Sequence, residues 1–402
     1  MSTEESSPLS GTSQEYYNPE RSIRSKLIII GVAILFILIA YAYVGTRDRS
    51  LDIDDPALIS QQQEDGLICC ILEFDSGGQP HAIVITRELE GEFRTVVFRV
   101  MTLNDDGSPE EINAIGSPIP GLLPTRIALV DDTAYVPIDG EGQSGVWAVD
   151  LSDPAWPEDA GFTSTGDGIS RQLAADGDRL AINHTSTVAI LDITDRTSPE
   201  VRSELEQPES GIVTLKMAGE RLIVNDTVND EFRVYDLSDV DTPEQIALHQ
   251  NPDGTGELEF ELGAETPEDR LDQVAIPSRY LDFLIDDGLA YLAASDIGIR
   301  MLDLGGADEP EIIGDLALPD RAVRVAQHGD RLFVLGASPG NVEELTYSIH
   351  IVDISDRTNP EVVETINNIL SEPGIQAMTV SADGQRLYLG LYESLLVFDI
   401  SD

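Results

Sequence analysis

One short pattern recurs through this chain and restricts its fold more than any other feature. The segments VWAVDLSDPAWPE from Val146, VAILDITDRTSPE from Val188, FRVYDLSDVDTPE from Phe232, IRMLDLGGADEPE from Ile299 and IHIVDISDRTNPE from Ile349 align without strain, and LLVFDISD from Leu395 is a truncated sixth copy. Their shared aspartates are Asp150, Asp192, Asp236, Asp303, Asp353 and Asp399, spaced 42, 44, 67, 50 and 46 residues apart. A degenerate copy, VVFRVMTLNDDGSPEE from Val96, keeps the terminal Pro109-Glu110 but lacks the Asp. A period in this range is the mark of a repeat architecture, in which each unit buries its apolar face against its neighbours.

A second element precedes each Asp: AADGDRLAI from Ala174, KMAGERLIV from Lys216, AQHGDRLFV from Ala326 and SADGQRLYL from Ser381, with weaker versions LVDDTAYVP from Leu129 and LIDDGLAYL from Leu284. Apolar β-formers flank a Gly/Asp pair that can supply the positive φ of a tight hairpin. A further hairpin leads into the Asp strand, and a short strand such as VRSELE from Val201 follows the Pro-Glu. Four antiparallel strands per repeat, with no helical periodicity between them, predict an all-β propeller of seven four-stranded blades, or six if the degenerate copy is not a blade. Each repeat Asp is expected to end the third strand and to accept backbone N–H groups of the next turn, a structural rather than a metal-binding role. The Pro then opens the fourth strand where no donor is required.

The segments ILDITDRTSPE, IVDISDRTNPE and VFDISD resemble the LVIVD repeat, a propeller-forming repeat, over residues from about 120 to 402. That resemblance implies surface or envelope placement and leaves the molecular role open.

The last copy stops at Asp402, straight after its third strand. A closed ring requires a strand from the N-terminal side, and Leu67–Phe74 (LICCILEF) or the stretch just before it is the supplier. The longest gap contains an acidic insertion at 251–277, read as a loop between the fourth and fifth blades.

Residues Leu27 to Gly45, LIIIGVAILFILIAYAYVG, form an uncharged run long enough to span a bilayer core as a helix. With Arg21, Arg24 and Lys26 before it and Arg47 and Arg49 after, the basic flanks favour a cytoplasmic N-terminus. The expected organisation is a disordered cytoplasmic tail (1–25), a transmembrane signal anchor (26–45), an acidic stalk (46–65) and an extracytoplasmic propeller (66–402). A cleaved signal peptide, with Ala40-Tyr41-Ala42 as the cleavage site, is the alternative.

The chain carries 74 acidic and 24 basic residues, a net charge of −50, and only Lys26 and Lys216 among the basic residues are lysines. Such a field excludes nucleic acid as a partner, and it suits a protein working in high salt, where screening removes self-repulsion. Cys69 and Cys70 are adjacent; strand neighbours point to opposite faces, so they read as two apolar strand residues. No catalytic, cofactor-binding or metal-ligating constellation emerges from the five His residues, the two Cys or the acidic stretches.

In a propeller the first strand of each blade lines the central channel. Equivalent positions at its start are Arg126, Gln172, Thr214, Asp282, Arg324 and Thr379, with Arg171, Arg279 and Arg321 nearby. Five arginines at one mouth of so acidic a chain suggest a face for an anionic or carboxylate-bearing partner; pairing with neighbouring Asp and Glu is the competing reading. The functional expectation is a membrane-anchored scaffold that binds a protein or an anionic ligand at the cell envelope. An extracytoplasmic hydrolase, a quinone-dependent oxidoreductase and a structural surface protein are the alternatives.

Overall fold

The computed structural model describes residues 58–63, 67–90, 93–104, 107–121, 124–140, 142–166, 172–206, 213–226, 231–250, 282–286, 288–304, 311–338, 346–370, 375, 377–391 and 394–401. The apolar run at 27–45, the N-terminal tail and the insertion at 251–277 lie outside these residues. Among the described residues no helix is long and apolar enough to cross a membrane.

The described strands make seven four-stranded antiparallel sheets. Blades one to six are formed in chain order by Leu67–Gly116, Ala128–Gly166, Leu173–Glu206, Val213–Gln250, Asp282–Leu316 and Arg321–Leu370. Blade seven takes its first three strands from Ala377–Asp399 and its outer strand from Leu58–Gln63, so the two ends of the propeller close the ring within one sheet. The stretch just before LICCILEF is therefore the closing strand, whereas LICCILEF itself belongs to the innermost strand of blade one, Leu67–Ser76. The C-terminal end of the segment expected as stalk is thus part of the last blade.

The burial of each strand explains its sequence. In blade three the second and third strands, Arg179–Asn183 and Thr187–Asp192, are buried along almost their whole length, because blades cover both faces. The outer strand Glu200–Glu206 faces solvent along most of its length and reads as polar. Between blades one and two, Trp147 is fully buried, with its ring edge-on to Phe98 at 6.1 Å. Its indole N–H donates to Asp159 Oδ1 at 3.0 Å, which satisfies the one polar atom of a large apolar side chain.

The turns behave as the repeat demands. Gly177, Gly219 and Gly329 open the inner hairpins of blades three, four and six with φ near +58°, a region glycine enters without steric cost. Asp150, Asp192, Asp236, Asp353 and Asp399 each accept the N–H two residues on, at 2.8–2.9 Å. Pro157, Pro199, Pro243 and Pro360 stand immediately before the outer strands.

A β-bulge interrupts the pairing of third and outer strands at the same register in blades one to six. The closing strand reproduces it. Leu58 lies opposite Phe398 and Ser60 opposite Val397, just as Val201 and Ser203 lie opposite Leu191 and Ile190.

Candidate functional site

Strand register sets which side chains share a level of the central channel. Gln172 lies opposite Asn183 by extension of the blade-three ladder, Thr214 opposite Asn225, Asp282 opposite Ala293 and Arg324 opposite Leu335. Arg126 stands two residues ahead of the inner strand of blade two, at the same level. Leu72 of blade one and Ala377 of blade seven complete this ring. Thr379, expected in it, sits one step along the channel, opposite Tyr388 and level with Lys216. The reason is local: the blade-seven hairpin turns through Ala382 to Gln385 rather than through two residues, which offsets the sequence alignment.

Charge in the channel is unevenly paired. Arg126 of blade two forms an ion pair with Asp282 of blade five, so the contact joins two blades that are not neighbours. Asp282 is held from two sides, with Oδ1 accepting its neighbour's N–H on Phe283 at 2.9 Å and Oδ2 accepting Val325 N–H at 3.3 Å. Burial, and then the positive charge of Arg324, bring the Arg126 pKa down to about 10, which leaves it protonated at neutral pH. Burial likewise lowers Arg324. Lys216 is pushed well below the usual lysine value by burial and by the Arg126 charge. Among the described residues no carboxylate pairs with Arg324 or Lys216.

These groups face a cavity of about 630 Å³, whose wall includes Cys70, Arg126, Lys216, Asp282, Arg324 and Thr379. It extends along the channel to the hairpin turns of blades five and six, at Asp286 and His328. There Gln327 Nε2 donates to Asp286 Oδ2 at 2.7 Å, so this second acid already has a partner. The cavity size suits a small polar ligand.

The remaining sequence-predicted residues fall elsewhere. Arg321 is half exposed and pairs with Asp296 at 2.8 Å, a surface contact of the kind the competing reading foresaw. Gln172 donates its backbone N–H to Asn183 Oδ1 at 2.9 Å, and Thr214 is buried in blade four; neither lines the cavity. Arg171 and Arg279 lie outside the described residues. Sequence reasoning passed over Lys216, although it lies two residues beyond Thr214 on an inner strand and so shares its face. It also assigned Cys69 and Cys70 to packing alone, whereas both contribute to the cavity wall.

A second cavity, of about 870 Å³, opens between blades one and seven on the hairpin side of the ring. Glu73 faces it; its Oε1 accepts Ala382 N–H at 3.2 Å, and burial raises its pKa. Among the described residues no group of three or more His, Cys, Asp and Glu side chains gathers as a metal site would require.

The LVIVD repeat model matches residues 347–368, the third and outer strands of blade six. The resemblance carried by ILDITDRTSPE and IVDISDRTNPE is thereby supported at one of the repeats that suggested it. A search of curated proteins returns no match. Among solved structures the chain is similar to one described as the crystal structure of a mitotic checkpoint complex, at 11% identity and a TM-score of 0.59, covering 89% of this chain and 94% of that one. It is also similar to the computationally designed protein Ika8, at 10% identity and a TM-score of 0.53, covering 86% and 99%. At such identities the likeness is one of fold alone.

Proposed function

We propose that this chain is a binding scaffold whose central channel takes a small anionic, carboxylate-bearing ligand, and that residues 27–45 hold it on a membrane with the propeller outside the cytoplasm. The observation that carries the reading is the excess of buried positive charge in the channel. Arg126, Arg324 and Lys216 converge on one cavity, and Asp282 engages only the first of them. In a chain of net charge −50, cations held away from carboxylates are costly unless something anionic completes them. Planar guanidinium groups in one cavity with a lysine that a bound anion would protonate suit a carboxylate or phosphate group.

The membrane placement rests on the uncharged run and its basic flanks. The acid-rich, lysine-poor composition supports a high-salt habitat, where surface repulsion is screened.

The test is a thermal-unfolding panel on the full chain in molar salt with citrate, inorganic phosphate and choline as added probes. A ligand that binds only the folded state raises the unfolding midpoint. The midpoint is expected to rise with citrate or phosphate and to stay fixed with choline, and Arg324→Gln should remove the rise. Equal rises in wild type and Arg324→Gln would take the site out of the channel. Protease treatment of intact cells checks the topology: degradation of the propeller supports an external domain, and full protection contradicts it.

A further inference from the structure

The alternation rule that sets adjacent strand residues on opposite faces fails at Cys69 and Cys70. Ile68 pairs with Thr86 and Cys70 with Ile85, which leaves Cys69 as the extra residue of a β-bulge. A bulge suspends alternation locally, and the two sulfurs come to lie 2.8 Å apart. Both residues are buried, at 5% and 4% exposure, and both contribute to the wall of the channel cavity. No bond joins the two sulfurs, and the Cys70 S–H donates onward to the Pro124 carbonyl at 3.8 Å.

We propose that Cys69 and Cys70 form a redox-active dithiol that closes to a disulfide between adjacent residues, by exchange with a small disulfide admitted to the channel. The Cys70 sulfur, having released its proton to water, attacks one sulfur of R–S–S–R. A Cys70–S–S–R bond forms, the original S–S bond breaks, and R–S⁻ leaves and takes up a proton. The Cys69 sulfur, losing its own proton, then attacks Cys70 Sγ. The Cys69–Cys70 bond forms, the second R–S⁻ departs, and it is protonated in turn. Two protein thiols lose two electrons, and one R–S–S–R becomes two R–SH.

Several observations set the roles. Cys70 lines the same cavity as Arg126 and Arg324, so an incoming small disulfide meets it there. Cys69 is already in contact with Cys70 Sγ and needs to contract only to about 2.05 Å for a bond. Cys69 sits at the register shift between Ile68 and Cys70, where the backbone already departs from regular pairing. The cavity is roomy enough for a small disulfide. A ring closed between neighbouring residues departs from relaxed disulfide geometry, which makes the bond easily reduced and suits a reversible rather than a structural role.

The test exposes the reduced, folded full chain to hydroxyethyl disulfide and follows thiol content and intact mass. The expected product has lost both thiols, is lighter by two hydrogen atoms, carries no adduct and returns to the start with dithiothreitol. In Cys69→Ser the same reagent should leave a stable hydroxyethylthio adduct on Cys70, because the resolving thiol is missing. Two stable adducts on the wild type, or thiols that react only after unfolding, would overturn the proposal.

Discussion

At the scale of single residues, the recurrent aspartates and arginines divide the labour of the repeat. The aspartates hold turns. Asp192 is held below the ordinary carboxylate value by Thr194, through its side chain and its backbone N–H, and Asp236, Asp353 and Asp399 are depressed by the corresponding groups of Ser238, Ser355 and Ser401. A carboxylate whose folded pKa lies below its unfolded value stabilises the fold above the unfolded pKa, and that contribution is lost as pH falls through the folded pKa. Urea midpoints should therefore be flat at neutral pH and fall below about pH 4, and Asp192→Asn should flatten that fall. The arginines join blades. Arg196 of blade three reaches Asp131 of blade two at 2.9 Å, and its carbonyl accepts the Tyr135 hydroxyl at 3.0 Å. Arg357 of blade six is placed alike, over the Tyr291 ring of blade five at 5.7 Å. Arg179 of blade three donates to the Leu237 carbonyl of blade four at 3.0 Å, and Arg221 of blade four to the Leu304 carbonyl of blade five. Against that background Arg324 of the channel stands apart, since it meets no carboxylate among the described residues, whereas Arg126 joins blade two to blade five through Asp282.

Lys216 supplies a further prediction at this scale. Its depressed pKa means that a bound anion, by adding opposite charge, should draw a proton onto it. Calorimetric heats of citrate binding should then depend on the ionisation enthalpy of the buffer, and Lys216→Gln should remove that dependence. Heats independent of buffer in the wild type would place the anion elsewhere.

At the scale of elements, the ring depends on one strand contributed from far away in sequence. Leu58–Gln63 covers the third strand of blade seven, which would otherwise present a free edge at Ser394–Asp399. Deletion of residues 58–63 should lower the unfolding midpoint and promote self-association through that edge, as read by light scattering. An unchanged midpoint and a monomer would show the strand to be dispensable. Packing between blades is tested by Trp147→Ala, which should cost about 3–5 kcal/mol in denaturant unfolding, the range for removing a large buried aromatic.

The elements also show what the sequence made legible. The third strands and inner hairpins announced themselves because both faces of each are covered, which leaves continuous apolar runs bounded by Gly and Asp. Outer strands are exposed on one side and differ among the repeats, and the closing strand is the hardest to see in sequence, because its Gln61-Gln62-Gln63 reads as linker. The clue lay in register rather than hydropathy. Asp54-Asp55-Pro56-Ala57-Leu58-Ile59-Ser60 runs parallel to Thr197-Ser198-Pro199-Glu200-Val201-Arg202-Ser203, with the proline in the same place. Arg126, Asp282 and Arg324 were found from repeat alignment alone. The longer turn of blade seven misplaced Thr379, and the bulge at Cys69 defeated the alternation rule, because neither leaves a mark on composition.

At the scale of the whole molecule, a net charge of −50 surrounds a channel with surplus positive charge. The outer field should make stability depend on salt, since the screening length shrinks from about 10 Å at 0.1 M to about 3 Å at 1 M. The unfolding midpoint is expected to fall on dilution from molar salt. The inner charge is shielded by burial and should respond to a specific anion rather than to ionic strength. Calorimetric titration of the full chain with citrate in molar salt, wild type against Arg324→Gln, separates these two effects. One site per chain is expected, with at least about tenfold weaker binding in the variant, the cost of one charge-assisted contact. Equal affinity in the two proteins, or no citrate binding by either, would contradict an anion site in the channel.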